Sequence, residues 1–365
     1  MIDKLQKARD EINRVDKQMA ELFEMRMKAV KTVAECKQEL GLPVFDYKRE
    51  DDVIERNTKY IRDEELRSYY INFLKGNMDI SKKYQHRLLK GVKVAYSGVP
   101  GAFANIAAKR IFPDGTPVSF DGFKAAYDAV VEGECDLAVL PIENSYAGDV
   151  SQVMDLAFFG DLYINGVYEL AINQNLLGVR GAILKDIRQV VSHPQALAQC
   201  AEYIKDQGFS KKDAFNTAAA AKEVAEKNDK SVAAIASYET AKLYGLDVIE
   251  KNINENRNNT TRFAVFSRVP NKATQNDNHF IMFFTVKNEA GTLSRAINIL
   301  GKYGFNLKSL KSRPTKEVGW EYYFFVEGEG NICGENGDAV IKEMSQNCNH
   351  LKIAGTFEKE IVLKE

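Results

Sequence analysis

Apolar residues in the first forty positions recur at Leu5, Ala8, Ile12, Val15, Met19, Leu22, Ala29, Val33, Cys36 and Leu40. The steps alternate between three and four, the seam of a long amphipathic helix with a heptad period. No glycine precedes Gly41, and Pro43 is the only proline of the first ninety residues, so a helical segment broken once at Gly41-Leu42-Pro43 is expected. From 92 to 268 the pattern changes. Short apolar runs (VKVAY, DLAVLPI, RQVVSHP, SVAAIAS) alternate with helical patterns, the rhythm of an α/β fold with a mostly parallel sheet. The stretch VPNKATQNDN, 269–278, is polar and aperiodic and reads as a linker. The remainder reads strand (HFIMFFTV), helix (from Leu293 to Lys302), strand (FNLKSLKS), strand (WEYYFFVEG), helix (around Ala339 to Met344), strand (LKIAGTFE). That βαββαβ order is ferredoxin-like.

Charge sharpens the first boundary. Of the first 90 residues 37 are charged, against 64 of the other 275, so a domain border falls near Gly91. A chain of 365 residues is too long for one core, and two or three domains are expected. The formal charge of −1 gives no electrostatic footprint for nucleic acid or an anionic membrane. No apolar run approaches the roughly 20 residues of a membrane span. The N-terminus, MIDKLQKARDEINR, is too charged for a signal peptide, and the five cysteines are scattered without a disulfide or zinc pattern. A reduced cytoplasm is the expected location.

Continuing the first seam from Leu22, the next slot is position 26, and it holds arginine. A charged residue at a core slot is either an internal ion pair or a cation facing a cavity for an anion. Lys37 returns to the same face eleven residues later. Asp46-Tyr47-Lys48-Arg49-Glu50 opens the next helix, and Ser81 and Gln85 sit at i and i+4 on a third. On these residues the segment resembles the all-α class of chorismate mutase. The resemblance covers residues 1–90 and implies a binding set of Arg9, Arg26, Asp46, Arg49, Glu50 and Ser81. Lys37 and Gln85 are then the candidates to hydrogen-bond the breaking ether oxygen. The implied reaction is pericyclic and needs no nucleophile, only a dianion held in a chair-like geometry with growing oxygen charge stabilised. Arg9 and Arg26 are 17 residues apart, roughly 25 Å at about 1.5 Å per residue. One small ligand cannot span that, so Arg9 serves a site built mainly by another copy, and an obligate dimer is expected. Pairing of dimers into tetramers is left open.

In the middle segment polar clusters sit at strand ends: Tyr96-Ser97-Gly98-Val99-Pro100-Gly101, Pro141-Ile142-Glu143-Asn144-Ser145, Ser192-His193-Pro194-Gln195, Asn216-Thr217 and Asn258-Asn259-Thr260-Thr261-Arg262-Phe263. Taken singly, Ser192 and Thr217 are as well explained as helix caps. Together, clusters at strand C-termini mark the ligand crevice of an open α/β sheet. YSGVPGAFA, LPIENSYAGDV, SHPQALAQC, NTAAAA and NNTTRF resemble prephenate dehydratase across residues 91–270. The resemblance implies two α/β lobes around a cleft, like a type II periplasmic binding protein. It places the donor to the leaving hydroxyl on Thr261. Arg262 is then the natural carboxylate clamp, with Phe263 beside it, and Asn144, Ser145, Ser192, Gln195, Gln199 and Thr217 line the cleft. His193 either assists or is fixed structurally beside Pro194. No metal constellation and no phosphate loop are present, so no cofactor is expected.

Residues 279–360 resemble an ACT domain, the ferredoxin-like module that senses amino acids. Gly291, Thr292 and Leu293 stand where the family's dehydratases have Gly-Ala-Leu. Lys311-Ser312-Arg313-Pro314 stands for Glu-Ser-Arg-Pro. The implied ligand is phenylalanine, bound by Gly291, Thr292, Leu293, Ser312, Arg313 and Pro314, although Lys311 reverses a charge at that place. The whole reads as a bifunctional enzyme of phenylalanine biosynthesis, taking chorismate through prephenate to phenylpyruvate. The rivals are a dehydratase whose first domain only regulates, and a non-catalytic sensor with a binding-protein cleft.

Overall fold

The computed structural model describes residues 2–39, 47–271, 276–315 and 321–364. The expected break at Gly41-Leu42-Pro43 and the candidate Asp46 lie outside them. The chain separates into two compact units, one through Val92 and one from Lys93.

The first unit is helical: α1 (Ile2–Glu39), α2 (Tyr47–Thr58) and α3 (Arg67–Lys90). α1 packs on α3, which Arg26 and Met27 meet at Asn77 and Ser81, and Val30, Ala34 and Lys37 farther along α1 are wholly or partly buried. The heptad seam read from the sequence faces solvent instead: Leu5, Ile12, Val15, Met19, Leu22 and Val33 are each at least 40% exposed. Position 26 is where the helix turns from that seam to its intrachain neighbour.

The second unit begins β1 (Lys93–Ser97), α4 (Phe103–Ile111), β2 (Thr116–Phe120), α5 (Phe123–Val131), β3 (Leu137–Asn144), β4 (Gly148–Asp149), α6 (Ser151–Phe159) and β5 (Tyr163–Ala171). The chain then crosses to a second lobe of β6 (Asn175–Gly178), β7 (Gln189–Ser192), α7 (Pro194–Gln199), α8 (Ala201–Asp206), β8 (Ser210–Asp213), α9 (Thr217–Lys227), β9 (Val232–Ala236), α10 (Tyr238–Tyr244) and β10 (Asp247–Glu250). It returns as β11 (Thr260–Ser267), which inserts antiparallel between β3 and β5. The α/β rhythm therefore builds two sheets rather than one, and both are mixed because β11 in one and β6 in the other run against their parallel neighbours.

The ferredoxin-like part is β12 (His279–Thr285), α11 (Thr292–Lys302), β13 (Asn306–Pro314), β14 (Tyr322–Glu329), α12 (Glu335–Asn347) and β15 (His350–Phe357), with strand order β13-β14-β12-β15. One face of this sheet packs under α11 and α12 through Phe280, Met282, Phe284, Leu300, Val326 and Met344. The other face presents Ile281, Phe283, Tyr323, Phe325, Ala354 and Phe357 to the first lobe and shares one apolar core with it. Phe158 of α6 stacks on Tyr323 at 4.2 Å between ring centroids. A last strand, β16 (Ile361–Leu363), joins the first lobe's sheet parallel to β5. Sequence reading stops the domain at 360 and misses it, since three residues carry no periodicity.

The ferredoxin-like sheet and the first lobe come close at Gly355, where a Cβ would lie 1.8 Å from the carbonyl oxygen of Ile164. The two backbones can meet only without a side chain there. Gly355→Ala is expected to push them apart and destabilise the second unit by about 1–3 kcal/mol, the usual scale of overpacking, read as a fall in its thermal unfolding midpoint with the first unit's transition unchanged. An unaltered midpoint would contradict this packing.

Candidate active sites

In the first unit, α1 and α3 bring four of the expected residues onto facing surfaces. The Arg26 guanidinium donates to the Ser81 hydroxyl and, at 3.3 Å, to the Asn77 carbonyl. Burial lowers its pKa, so an anion there would relieve a desolvated charge. Ser81 and Gln85 are buried, and the Gln85 carbonyl oxygen meets no partner among the described residues. Lys37 is half-buried three turns along from Arg26. Glu50 pairs with Lys82 at 3.1 Å, a partner the sequence did not single out. Arg49 and Arg9 are exposed, Arg9 far down α1.

In the second unit the parallel strands β1 and β3 end at the same edge, and β11, running the other way, begins there. Register places Thr261 opposite Asn144. The Asn144 carbonyl oxygen accepts from the backbone N–H groups of Tyr146 and Ala147, at 3.0 and 2.8 Å, which fixes the orientation of its amide. Its NH₂ group then donates to the Thr261 hydroxyl oxygen at 2.9 Å, with Asn259 Oδ1 and the Thr260 carbonyl as further acceptors. A hydroxyl that accepts from an amide keeps its own proton for another group.

Thr261 and Asn144 line a cavity of about 330 Å³ between the lobes. His193, Gln195, Gln199 and Thr217 line it too, as do Ser97 and Gly98. The N-termini of α4 and α9 open onto it at Ala102-Phe103 and Asn216-Thr217, bringing N–H groups and the positive ends of two helix dipoles. Two polar atoms of the lining are buried without a partner among the described residues: Gln174 Oε1 and Asn216 Nδ2. Gln174 was missed by sequence reasoning, because nothing in a lone buried glutamine distinguishes it. Phe103, Phe123 and Phe215 were also missed. Phe103 sits inside GAFA, and an aromatic at a strand-end loop beside a ring-shaped ligand was the available signal.

Other expectations are corrected. Arg262 does not face the cleft. Side chains alternate along a strand, so the neighbour of Thr261 emerges on the opposite face of the sheet. There its guanidinium donates to Glu143 at 2.9 Å, Glu327 at 2.6 Å and Glu360 at 2.5 Å. Burial opposes its charge, but Glu327 and Glu360 outweigh that and raise its pKa. Ser192 is fully buried and donates to the Ile235 carbonyl. His193, not Ser192, caps α7, since Pro194 occupies the first helical position. The His193 Nδ1 accepts from Gln195 N–H, which puts the ring proton on Nε2. Asn216, not Thr217, caps α9. Ser145 ties the loop by accepting from Thr260 N–H at 2.9 Å, and Phe263 is a core residue.

In the ferredoxin-like part Gly291 caps α11 at φ 81, and the Thr292 hydroxyl donates within its own loop to the Lys287 carbonyl at 2.6 Å. Leu293 packs on the domain core, and Ser312 and Pro314 are exposed on β13. Arg313 and Lys311, on the alternate face of β13, reach back to the first lobe: Arg313 to Asp155 at 2.9 Å and Ser151 at 2.6 Å, Lys311 to Glu143 at 2.8 Å and to Asp149. Arg313 is thus occupied by the lobe rather than offered to an amino acid. Among the described residues no cluster of His, Cys, Asp and Glu has the form of a metal site, and no helix is long and apolar enough to cross a membrane.

Comparison with known proteins agrees with these divisions. Residues 8–86 match the chorismate mutase type II family model, 94–271 prephenate dehydratase and 280–332 the ACT domain. The bifunctional chorismate mutase/prephenate dehydratase of Aquifex aeolicus is 30% identical, with 99% of each chain covered. Among solved structures, one described as a quorum-quenching acylase, GqqA, is 30% identical with a TM-score of 0.68, covering 74% of this chain and 98% of its own. The prephenate dehydratase of Arthrobacter aurescens, solved with L-Phe, has a TM-score of 0.67 at 24% identity over 73% of this chain and 90% of its own. The helical unit, the two-lobed unit and the ferredoxin-like sheet in this order make the chain a member of the bifunctional chorismate mutase/prephenate dehydratase family.

Proposed function

We propose that the chain rearranges chorismate to prephenate at Arg26, Lys37, Ser81 and Gln85, and converts prephenate to phenylpyruvate in the cleft at Thr261. The observation that carries the second assignment is the amide–hydroxyl pair of Asn144 and Thr261. In prephenate the ring carboxylate leaves as CO₂, its bonding electrons enter the ring, and the ring hydroxyl departs as aromaticity forms. Thr261 donates a hydrogen bond to that departing oxygen, which becomes water on taking a proton from solvent. Threonine is too weak an acid to surrender its proton in full, so its contribution is oriented donation. The departing carboxylate loses its charge in the reaction. A guanidinium on it would stabilise the substrate more than the transition state. Among the described residues the cleft lining holds no lysine or arginine, and helix N-termini with Asn216 and His193 receive the substrate's anionic groups. Phe103, Phe123 and Phe215 flank the ring. An acyl-transfer reading, from GqqA, is less well supported: Thr261 leans on an amide, which cannot accept its proton and activate it as a nucleophile.

The helical unit works as a dimer. The exposed apolar seam of α1 is the natural contact for a second copy, and Arg9, too far from Arg26 to share a small ligand, reaches the other copy's site, while Arg49 and Glu50 serve the site of their own copy. Phenylalanine binds the ACT domain at Gly291, Thr292 and Leu293 with Ser312 and Pro314, a reading supported by the Arthrobacter aurescens dehydratase having been solved with L-Phe. It lowers dehydratase activity by favouring one arrangement of the lobes.

Following chorismate, prephenate and phenylpyruvate separately in one incubation tests the two activities. Arg26→Ala is expected to abolish mutase turnover and leave turnover of added prephenate within about twofold, since an interaction removed from one transition state leaves the other unaffected. A large loss of both in a folded variant would mean that the sites are not independent. Thr261→Ala is expected to lower dehydratase kcat by about 10²–10³, the scale for one oriented donor, while Thr261→Ser keeps most of it. Equal rates for the two variants would remove Thr261 from the role. Phenylalanine titrated calorimetrically should bind the full chain and inhibit the dehydratase several-fold at saturation, consistent with couplings of about 1–3 kcal/mol; no heat of binding would reject the effector.

A further inference from the structure

We propose that the ACT domain holds the catalytic hydroxyl of the dehydratase cleft in place from behind the sheet, through Lys311, Glu143 and Arg262 acting as positioning residues. This rests on Thr261 being the donor. The register that sets Thr261 against Asn144 on the cleft face sets Arg262 against Glu143 on the back face. The two pairs are consecutive residues of the same two strands. Any shift of Glu143 relative to Arg262 therefore moves Asn144 relative to Thr261.

Three separate pieces of chain grip Arg262. Glu327 comes from β14 of the ACT sheet and is 1% exposed, Glu360 from the segment leading into β16, and Glu143 from β3, each taking a different nitrogen of Arg262. Lys311 of β13 then takes the second oxygen of Glu143, at 2.8 Å, and bonds Asp149 of β4. Lys308 stands 3.9 Å from Glu327 and 3.8 Å from Glu360. Burial works against the charge on Glu143, yet Lys311 and Arg262 hold its pKa below the ordinary carboxylate value. Taking out one member of the cluster leaves a partner carboxylate poorly paired. Lys311 and Glu327 both belong to the ACT sheet, so a change in how that sheet sits on the lobe is delivered to Glu143 and Arg262 as a displacement. Displacements of about 1 Å at a reacting group change rates by about 10², so small movements suffice.

The test uses the full chain with Lys311→Met, Lys311→Arg and Glu143→Gln. Steady-state kinetics on prephenate are combined with amide hydrogen exchange read separately in β11 and in β1 of the same sheet. For Lys311→Met a loss of about ten- to a hundredfold in dehydratase kcat is expected, with KM within twofold, mutase turnover unchanged and faster exchange in β11 but not β1. Lys311→Arg should restore most of kcat, and Glu143→Gln should reproduce the Met phenotype. Wild-type kcat in Lys311→Met, or a loss that Lys311→Arg does not relieve, overturns the proposal. If Lys311→Met loosens β1 as well, Glu143→Gln, which keeps the carboxylate's shape, decides by the same two readouts. Should Thr261→Ala prove fully active, the reading of the cleft fails by itself. Selective loosening of β11 in Lys311→Met would then still report the link between the ACT sheet and this strand, and unchanged exchange would overturn that link too.

Discussion

The antiparallel register of β11 on β3 fixes what each face of the first lobe can do. Strand side chains have a period of two, so a slip of one residue would turn Thr261 to the back and Arg262 into the cleft. The register is pinned on both sides, because β11 is also paired with β5 over its length. Beside the site it is interrupted: Arg262 faces Glu143 while Phe263 faces Pro141, leaving Ile142 without an opposite residue. Such a bulge re-aims the strand end, and its place next to a site is typical. It also explains a proline within an internal strand. Pairing of β3 with β1 ends at Val139, so Pro141 lies past that ladder, where its missing N–H breaks no bond to β1.

From that sheet the ACT domain cannot be considered a tethered accessory. Its inner face completes the first lobe's apolar core, Gly355 allows backbone contact with Ile164, and β16 closes the sheet edge beyond β5. Burying a large aromatic side chain such as Phe283 or Tyr323 contributes about 1.5–3 kcal/mol, and several sit on this face. The charged cluster around Arg262 contributes less to stability than to position, since desolvation offsets much of the attraction within buried ion pairs. Apolar contact supplies the adhesion and the ions set the alignment.

What the sequence disclosed follows the range of the interactions involved. βαββαβ order, the helical unit and the strand-end clusters were legible because each depends on local period or on neighbouring residues. The cleft members Asn144, His193, Gln195, Gln199, Thr217 and Thr261 were named for the same reason. Arg262 was assigned to the wrong face although alternation forbids it to share one with Thr261; motif adjacency outweighed strand geometry in that reading. Lys311 looked like a defect of a ligand site, because its partners Glu143 and Asp149 lie more than 160 residues away and only the tertiary fold joins them. The seam of α1 was legible as a period, and its exposure within the chain was not: periodicity says that a stripe exists, not what covers it.

The two reactions ask opposite things of a cation, and under the proposed assignment the chain places its cations accordingly. In the rearrangement both carboxylates of the dianion persist from substrate to product, so a guanidinium or ammonium beside them holds ground state and transition state alike and, near the ether oxygen, favours the latter. Under the proposed assignment Arg26 and Lys37 take those places, half-buried, with Ser81 and Gln85 as their neutral companions. In the decarboxylating step one carboxylate must vanish as an anion. A cation fixed against it would be left without its partner as the reaction proceeds, and would deepen the well from which the substrate climbs. The strand that delivers Thr261 to the cleft carries an arginine all the same, and the fold turns it away by one residue of alternation and neutralises it with three glutamates. Those glutamates keep the arginine from drawing on the substrate's charge, and in doing so tie β11 to β3, to the ACT sheet and to the segment leading into β16.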